Sequence, residues 1–156
     1  MSKVAFITEM GFEGKIPSNH PNMRTEFAWM CALNADHFNI NNISNIQNYD
    51  HVFVIIPKGK LNLSAEGTKI GNQHNPASGL LSSNIIEKLK KHNSKVHYIQ
   101  EGPSWWFNDY EIIDQLNFYN TLSECDSIFA HNEHDTKFYQ GLFPSKQINV
   151  MPTLLI

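Results

Sequence analysis

The sequence predicts an α/β fold: one three-layer, Rossmann-like domain spanning residues 1–156, with a mostly parallel sheet of about six strands and helices on both faces. Three observations carry this. The short, nearly continuous apolar runs KVAFIT (Lys3–Thr8) and HVFVII (His51–Ile56) read as strands buried on both sides, as strands of a parallel sheet are. Segments with apolar residues at helical spacing alternate with such runs, which is the βαβ pattern and implies right-handed crossovers. The chain has 156 residues, is 41% hydrophobic and 17% charged, and shows no internal repeat or domain boundary, as suits a single core.

The elements follow in order. After the first strand, Asn22–Leu33 carries Met23, Phe27 and Met30 on one helical face, with Pro21 before it and Asn22 as N-cap. His37–Asn41 is a weak alternating strand, and His51–Ile56 is the strongest strand, ended by Pro57. Lys58–Ser78 is a long polar loop with Gly59, Gly67, Gly71 and Pro76. A helix over Gly79–His92 leads to the strand Lys95–Gln100 and to a sharp turn, Glu101–Ser104, that contains Gly-Pro. Trp106–Ser123 is a long amphipathic helix whose apolar residues include Ile112, Ile113, Leu116, Tyr119 and Leu122. The strand Ser127–Ala130, the helix Glu133–Gly141 and the strand Gln147–Met151 complete the series. Asn132 fits the N-cap of that helix, and Asp135 the reciprocal position of a capping box.

Charge and composition exclude several classes of function. The net charge is -3 and no Lys/Arg block stands out, so electrostatic attachment to nucleic acid is not expected. No apolar stretch is long enough for a membrane span, and the opening run Val4–Ile7 is too short for a signal peptide. The two cysteines, Cys31 and Cys125, stand apart in helical segments, as expected of reduced thiols in a cytoplasmic protein.

Ligands of open parallel sheets bind outside the carboxyl ends of the strands. The segment after the first strand holds Gly11 and Gly14, but a dinucleotide fingerprint needs G-x-G-x-x-G in a tight turn, and about a dozen residues intervene here before the helix. It reads as a glycine-hinged loop, able to close over a substrate or simply to cover the surface. Lys58 and Lys60 could serve a phosphate or anionic acceptor, but lysines so placed more often simply solvate a loop. Glu101 directly follows a buried strand, where a carboxylate is readily tuned as a general base, and Trp105 and Trp106 offer a stacking face; the alternative is a turn acid beside core tryptophans. In AHNEHD, His131 and His134 lack the helical i, i+4 spacing of a zinc motif, and capping accounts for Asn132 and Asp135. No metal and no cofactor is expected.

Four stretches together resemble one family: HPNMRTEFAWMCAL, YIQEGPSWWF, DQLNFYNTLSECDSIFAHNEHDTKFYQGLF and INVMPTLLI. They look like the N-terminal, acceptor-side domain of GT-B-fold glycosyltransferases, particularly the branch found in phages and marine bacteria. The resemblance implies transfer of a hexose from a nucleotide sugar to a hydroxyl acceptor such as a glycan. Glu101 then matches the base, and Gly11, Gly14, Asn22, Arg24, Glu26, Gln100, Trp105 and His131 frame the acceptor cleft. The donor-binding motif of a second domain is not in the sequence, so a nucleotide sugar is expected to bind only with such a domain, and the chain is expected to be inactive alone. The apolar ending Leu154–Ile156 suggests self-association. The alternative is a non-catalytic Rossmann-like module that binds a small polar ligand.

Overall fold

The computed structural model describes residues 1–8, 14–15, 26–39, 46–55, 61–62, 69–70, 73–74, 83–100 and 112–152. Six parallel strands form the sheet: β1 (Val4–Thr8), β3 (Asp36–Asn39), β4 (His51–Ile55), β8 (Lys95–Ile99), β9 (Ser127–Ala130) and β10 (Gln147–Val150). A seventh, β2 (Gly14–Lys15), pairs antiparallel with β3 at the edge. The spatial order is β10-β9-β8-β4-β1-β3-β2. Counted in chain order, the six parallel strands therefore run 2-1-3-4-5-6 across the sheet, the second of the two common doubly wound orders rather than the 3-2-1-4-5-6 of dinucleotide-binding domains.

Both faces are covered, because the alternating side chains of each buried strand are apolar on each side. Ala5, Ile7, Val52, Val54, Val96, Tyr98, Ile128 and Ala130 line one face. Against them pack Ile86 and Leu89 of α2 (Ser83–Lys91), Phe118 and Leu122 of α3 (Ile112–Glu124), and Tyr139 of α4 (Glu133–Leu142). Phe6, Phe53, Ile55 and Ile99 line the other face, under Ala28 and Met30 of α1 (Glu26–Ala32) and beside Met151. The change of face follows from handedness. The β1–α1–β3 crossover steps one way along the sheet and the crossovers after β4 step the other, so right-handed connections must place α1 opposite α2, α3 and α4.

Helix ends explain where the chain turns. At the end of α1, Ala35 N–H donates to Met30 O at 2.8 Å and Asn34 N–H to Cys31 O at 3.1 Å, the paired bonds of a Schellman ending. Asn34 sits at φ 49°, and Asn93 at φ 62° does the same service after α2. Lysines close α3: Lys90 Nζ donates to Glu124 O at 3.1 Å, and Lys146 Nζ to Ser123 O at 3.0 Å and also to Cys125 O. Burial depresses the Lys146 ammonium, with Cys125 and Asp126 acting against it.

Three features differ from the sequence expectation. The loop over residues 11–22 carries strand β2, and Gly14 takes φ 87°, a left-handed conformation that glycine alone adopts without strain. The segment 58–78, read as loop, holds a separate three-stranded antiparallel sheet of two-residue strands, β5 (Leu61–Asn62), β6 (Lys69–Ile70) and β7 (Gln73–His74). Such short rungs leave no periodicity to read, though Gly71-Asn72 between β6 and β7 is a pair favoured in two-residue hairpins. In α3, Phe118 and Leu122 face the core, whereas Ile112 (80% exposed), Leu116 (52%) and Tyr119 lie outside it. The Ile113 side chain and residues 79–82 and 106–111 lie outside what the structure describes.

No described helix is long and apolar enough to cross a membrane. Cys31 and Cys125 are both free thiols; Cys125 is buried, and burial pushes it up to about 12, far from a reactive thiolate.

Candidate functional site

The strand order reverses between β1 and β4, so the carboxyl ends of these strands and of their neighbours β8 and β9 form the rim where a ligand of this architecture binds. At the end of β1, the buried Thr8 hydroxyl lies 2.6 Å from Nε2 of the fully buried His37 on β3. His37 and Thr8 meet because β1 and β3 pair in parallel, with Phe6 opposite His37 and Thr8 opposite Asn39. Their separation of 29 residues hides this pair from any local sequence motif.

The best-defined part of the rim is a hydrogen-bonded cluster across the ends of β8 and β9. Gln100 extends β8 by one residue, its N–H donating to Phe129 O at 2.9 Å. The Gln100 side chain is 1% exposed. Its Oε1 accepts from His131 N–H at 3.1 Å, and its Nε2 donates to Asp135 Oδ2 at 2.8 Å. A buried amide satisfied on both ends holds its neighbours in one arrangement, because breaking either bond strands a desolvated group. Gln100 thus ties the end of β8 to the β9–α4 connection, and the next residue in the chain is Glu101.

The capping reading of AHNEHD is seen directly. Asn132 has extended dihedrals, φ -157° and ψ 173°, and its Oδ1 accepts from Asp135 N–H at 2.9 Å. The buried Asp135 carboxylate receives the Gln100 amide and, at 3.3 Å, the Asn132 amide. Glu133 and Asp135 both stand in the first turn of α4, where negative charge answers the helix dipole. His131 is half-exposed at the end of β9, while His134 is exposed on α4. No group of three His, Cys, Asp or Glu side chains among the described residues is placed to hold a metal ion.

The structure places the sequence candidates unevenly. Gln100 and His131 come together through a direct bond. Gly14 lies in β2 opposite His37, at the far edge of the sheet from β8 and β9. Glu26 begins α1, with its side chain outside the described residues. Gly11, Asn22, Arg24, Glu101 and Trp105 lie outside the described residues, as do Lys58, Lys60, Trp106 and the ending 154–156. Sequence reading missed the part played by Asp135 beyond its cap, and missed Thr8 and His37 altogether; a polar residue closing an apolar strand, as in VAFIT, is the one local signal that marks Thr8.

Two further polar clusters sit elsewhere. Near the amino ends of the strands, Tyr49 OH donates to Asp36 Oδ2 at 2.6 Å, Lys15 Nζ lies 3.1 Å from Asp36 Oδ1, and the Lys3 ammonium sits 4.4 Å over the Tyr49 ring. Burial alone would raise Asp36, but the Tyr49 and Lys15 bonds outweigh it and hold the carboxyl below its usual range. Burial and the Asp36 carboxylate raise the Tyr49 hydroxyl in turn. Within the sheet, Ser127, His97 and His51 form a bonded chain across β9, β8 and β4.

No protein-family model, curated protein or solved structure matches the chain. The likeness to glycosyltransferase N-terminal domains therefore rests on the four sequence stretches alone.

Proposed function

We propose that this domain binds an uncharged, hydroxyl-rich acceptor such as a glycan at the carboxyl rim of β8 and β9, as the acceptor side of a glycosyl transfer. One observation carries the reading: the α4 N-terminus, which in this architecture would serve an anion, is capped by the Asn132 side chain and carries Glu133 and Asp135 in its first turn. A phosphate there would meet two carboxylates. A sugar hydroxyl instead meets donors and acceptors of ordinary strength, with His131 half-exposed among them. In this reading Gln100 is a positioning residue, since its amide is spent on Asp135 and His131. It fixes the end of β8, and the proposed base, Glu101, is the next residue in the sequence. The donor nucleotide sugar belongs to a separate domain, and a cytoplasmic setting suits a nucleotide-sugar reaction.

The same rim serves the second reading, a non-catalytic module for a small polar ligand. The 2-1-3-4-5-6 strand order favours it, because that order recurs in small-ligand domains unrelated to nucleotide sugars.

The experiment is a titration of the ¹⁵N-labelled chain with methyl β-D-glucopyranoside and maltotriose, with UDP-glucose and inorganic phosphate run in parallel. Saturable shifts at the His131 and Asn132 amides with the neutral sugars, and none with the phosphate-bearing probes, are expected. Strong binding of UDP-glucose by this chain, or shifts that fail to saturate with either sugar, would overturn the assignment.

A further inference from the structure

On the face under α1, Ser127 Oγ lies 2.5 Å from His97 Nδ1, and His97 Nε2 lies 2.9 Å from His51 Nδ1. The register sets this up: His97 stands opposite Ser127 on β9 and Phe53 on β4, and His51 is two residues before Phe53 on the same face. The His97 ring is buried between aromatic neighbours, with centroids 4.8 Å from Phe53, 5.8 Å from Phe129 and 5.2 Å from His51. Both nitrogens of His97 are used within the chain. Of His51, only Nδ1 is used among the described residues, and the residue is half-buried.

Counting protons shows what this chain tolerates. With both rings neutral, it can run either way, each bond holding one proton. Adding one proton at His51 Nε2 forces one direction: His51 Nδ1–H donates to His97, and His97 Nδ1–H donates to Ser127. A second proton, on His97, sets an N–H of one ring against an N–H of the other and puts two positive charges in stacked rings. No rearrangement of the three side chains repairs that.

We propose that the Ser127–His97–His51 chain is an acid-sensing device, which holds one proton and opens the β4–β8 pair on taking a second. The charged groups around it are few. Lys95 flanks His97 on β8, and Asp126 precedes Ser127, with Lys90 of α2 at 3.7 Å from its Oδ1 and Val96 N–H donating to its Oδ2 at 2.8 Å. Asp50 precedes His51 and accepts from the Lys3 N–H. Of the α1 side chains described over this face, Cys31 alone is titratable. Burial, the His51 charge and Lys95 disfavour a cation on His97, while Asp126 favours one. The opening reaches the rim along β8, where His97 is three residues from Gln100, which holds His131 N–H through its Oε1 and Asp135 through its Nε2. The inference does not depend on what the rim binds.

The test is amide hydrogen exchange by NMR on the full chain at pH 7 and pH 4.5, corrected for intrinsic exchange. In the wild type, the Lys95 amide, which donates to Asp50 O at 2.9 Å between β8 and β4, should exchange about tenfold faster at the lower pH, while Phe6 and Ile7 of β1 change by less than about threefold. Two variants separate the proton from simple packing. His97→Phe takes no proton, and His51→Gln can present its carbonyl to a protonated His97, so both should abolish the difference between Lys95 and β1. Persistence of that difference in His51→Gln would overturn the proposal. So would equal loosening of β1 and β8 in the wild type.

Discussion

The behaviour of single residues here is decided by whether both ends of a polar group are satisfied. Gln100 is the clearest case. Replacing it with Leu keeps the volume but removes the bonds to Asp135 and His131 N–H. A loss of about 1–3 kcal/mol is expected, read as a lowered urea midpoint, with the His131 amide shifted most. His97 makes the second prediction. Burial holds its folded value down at about 4, against 6.5 for an ordinary histidine. The unfolded chain therefore takes up this proton first. The stability contributed by neutral His97 is complete above about pH 6.5 and is lost as pH falls towards 4. Urea midpoints at pH 7.5, 5.5 and 4.5 should decline in the wild type and decline less in His97→Phe. At this scale the sequence was only partly legible. Asn132 was readable as a cap because its partner is three residues away, whereas His97 met His51 and Ser127, and Thr8 met His37, only through strand register.

At the scale of elements, strands were easier to read than helix faces. HVFVI and KVHYI show their burial in composition, and the observed β4 and β8 lie within a residue of the expected limits. In α3 the apolar residues fall on two stripes, so periodicity alone does not choose. Leu116 is six residues from Leu122, roughly 240° round the helix, and both cannot face the sheet. Phe118, packed edge-on against Tyr98 at 5.8 Å, and Cys125, leading straight into β9, settle the choice for the Leu122 side. Thermal unfolding should register this: Leu122→Ala is expected to cost about 2–5 kcal/mol, and Leu116→Ala under about 0.5 kcal/mol. Equal costs would mean that α3 is rotated from the orientation described. The left-handed Asn34 and Asn93 show the same limit, since an asparagine after a helix is a weak stop signal until the backbone is seen.

For the molecule as a whole, alternation of strands and helices was enough to foretell the layers, the parallel pairing and the coverage of both faces. The order of the strands was not foretold. Whether the third parallel strand joins β1 or β3 depends on how the 40–50 connection crosses the sheet, and its anchors Ile46 and Tyr49 look like any isolated apolar residues in sequence. The small antiparallel sheet and β2 were invisible because two-residue strands have no period.

The Trp29 indole N–H donates to Pro152 O at 3.0 Å, and Met151 joins the core beneath α1. A helix made early in this sequence is thus completed by residues 123 positions later. Until synthesis passes residue 151, the underside of α1 lacks part of its lining. A nascent chain stalled before residue 151 would therefore present apolar surface at α1, far from its growing end, and chaperone contacts at residues 26–32 would last until residue 151 is made.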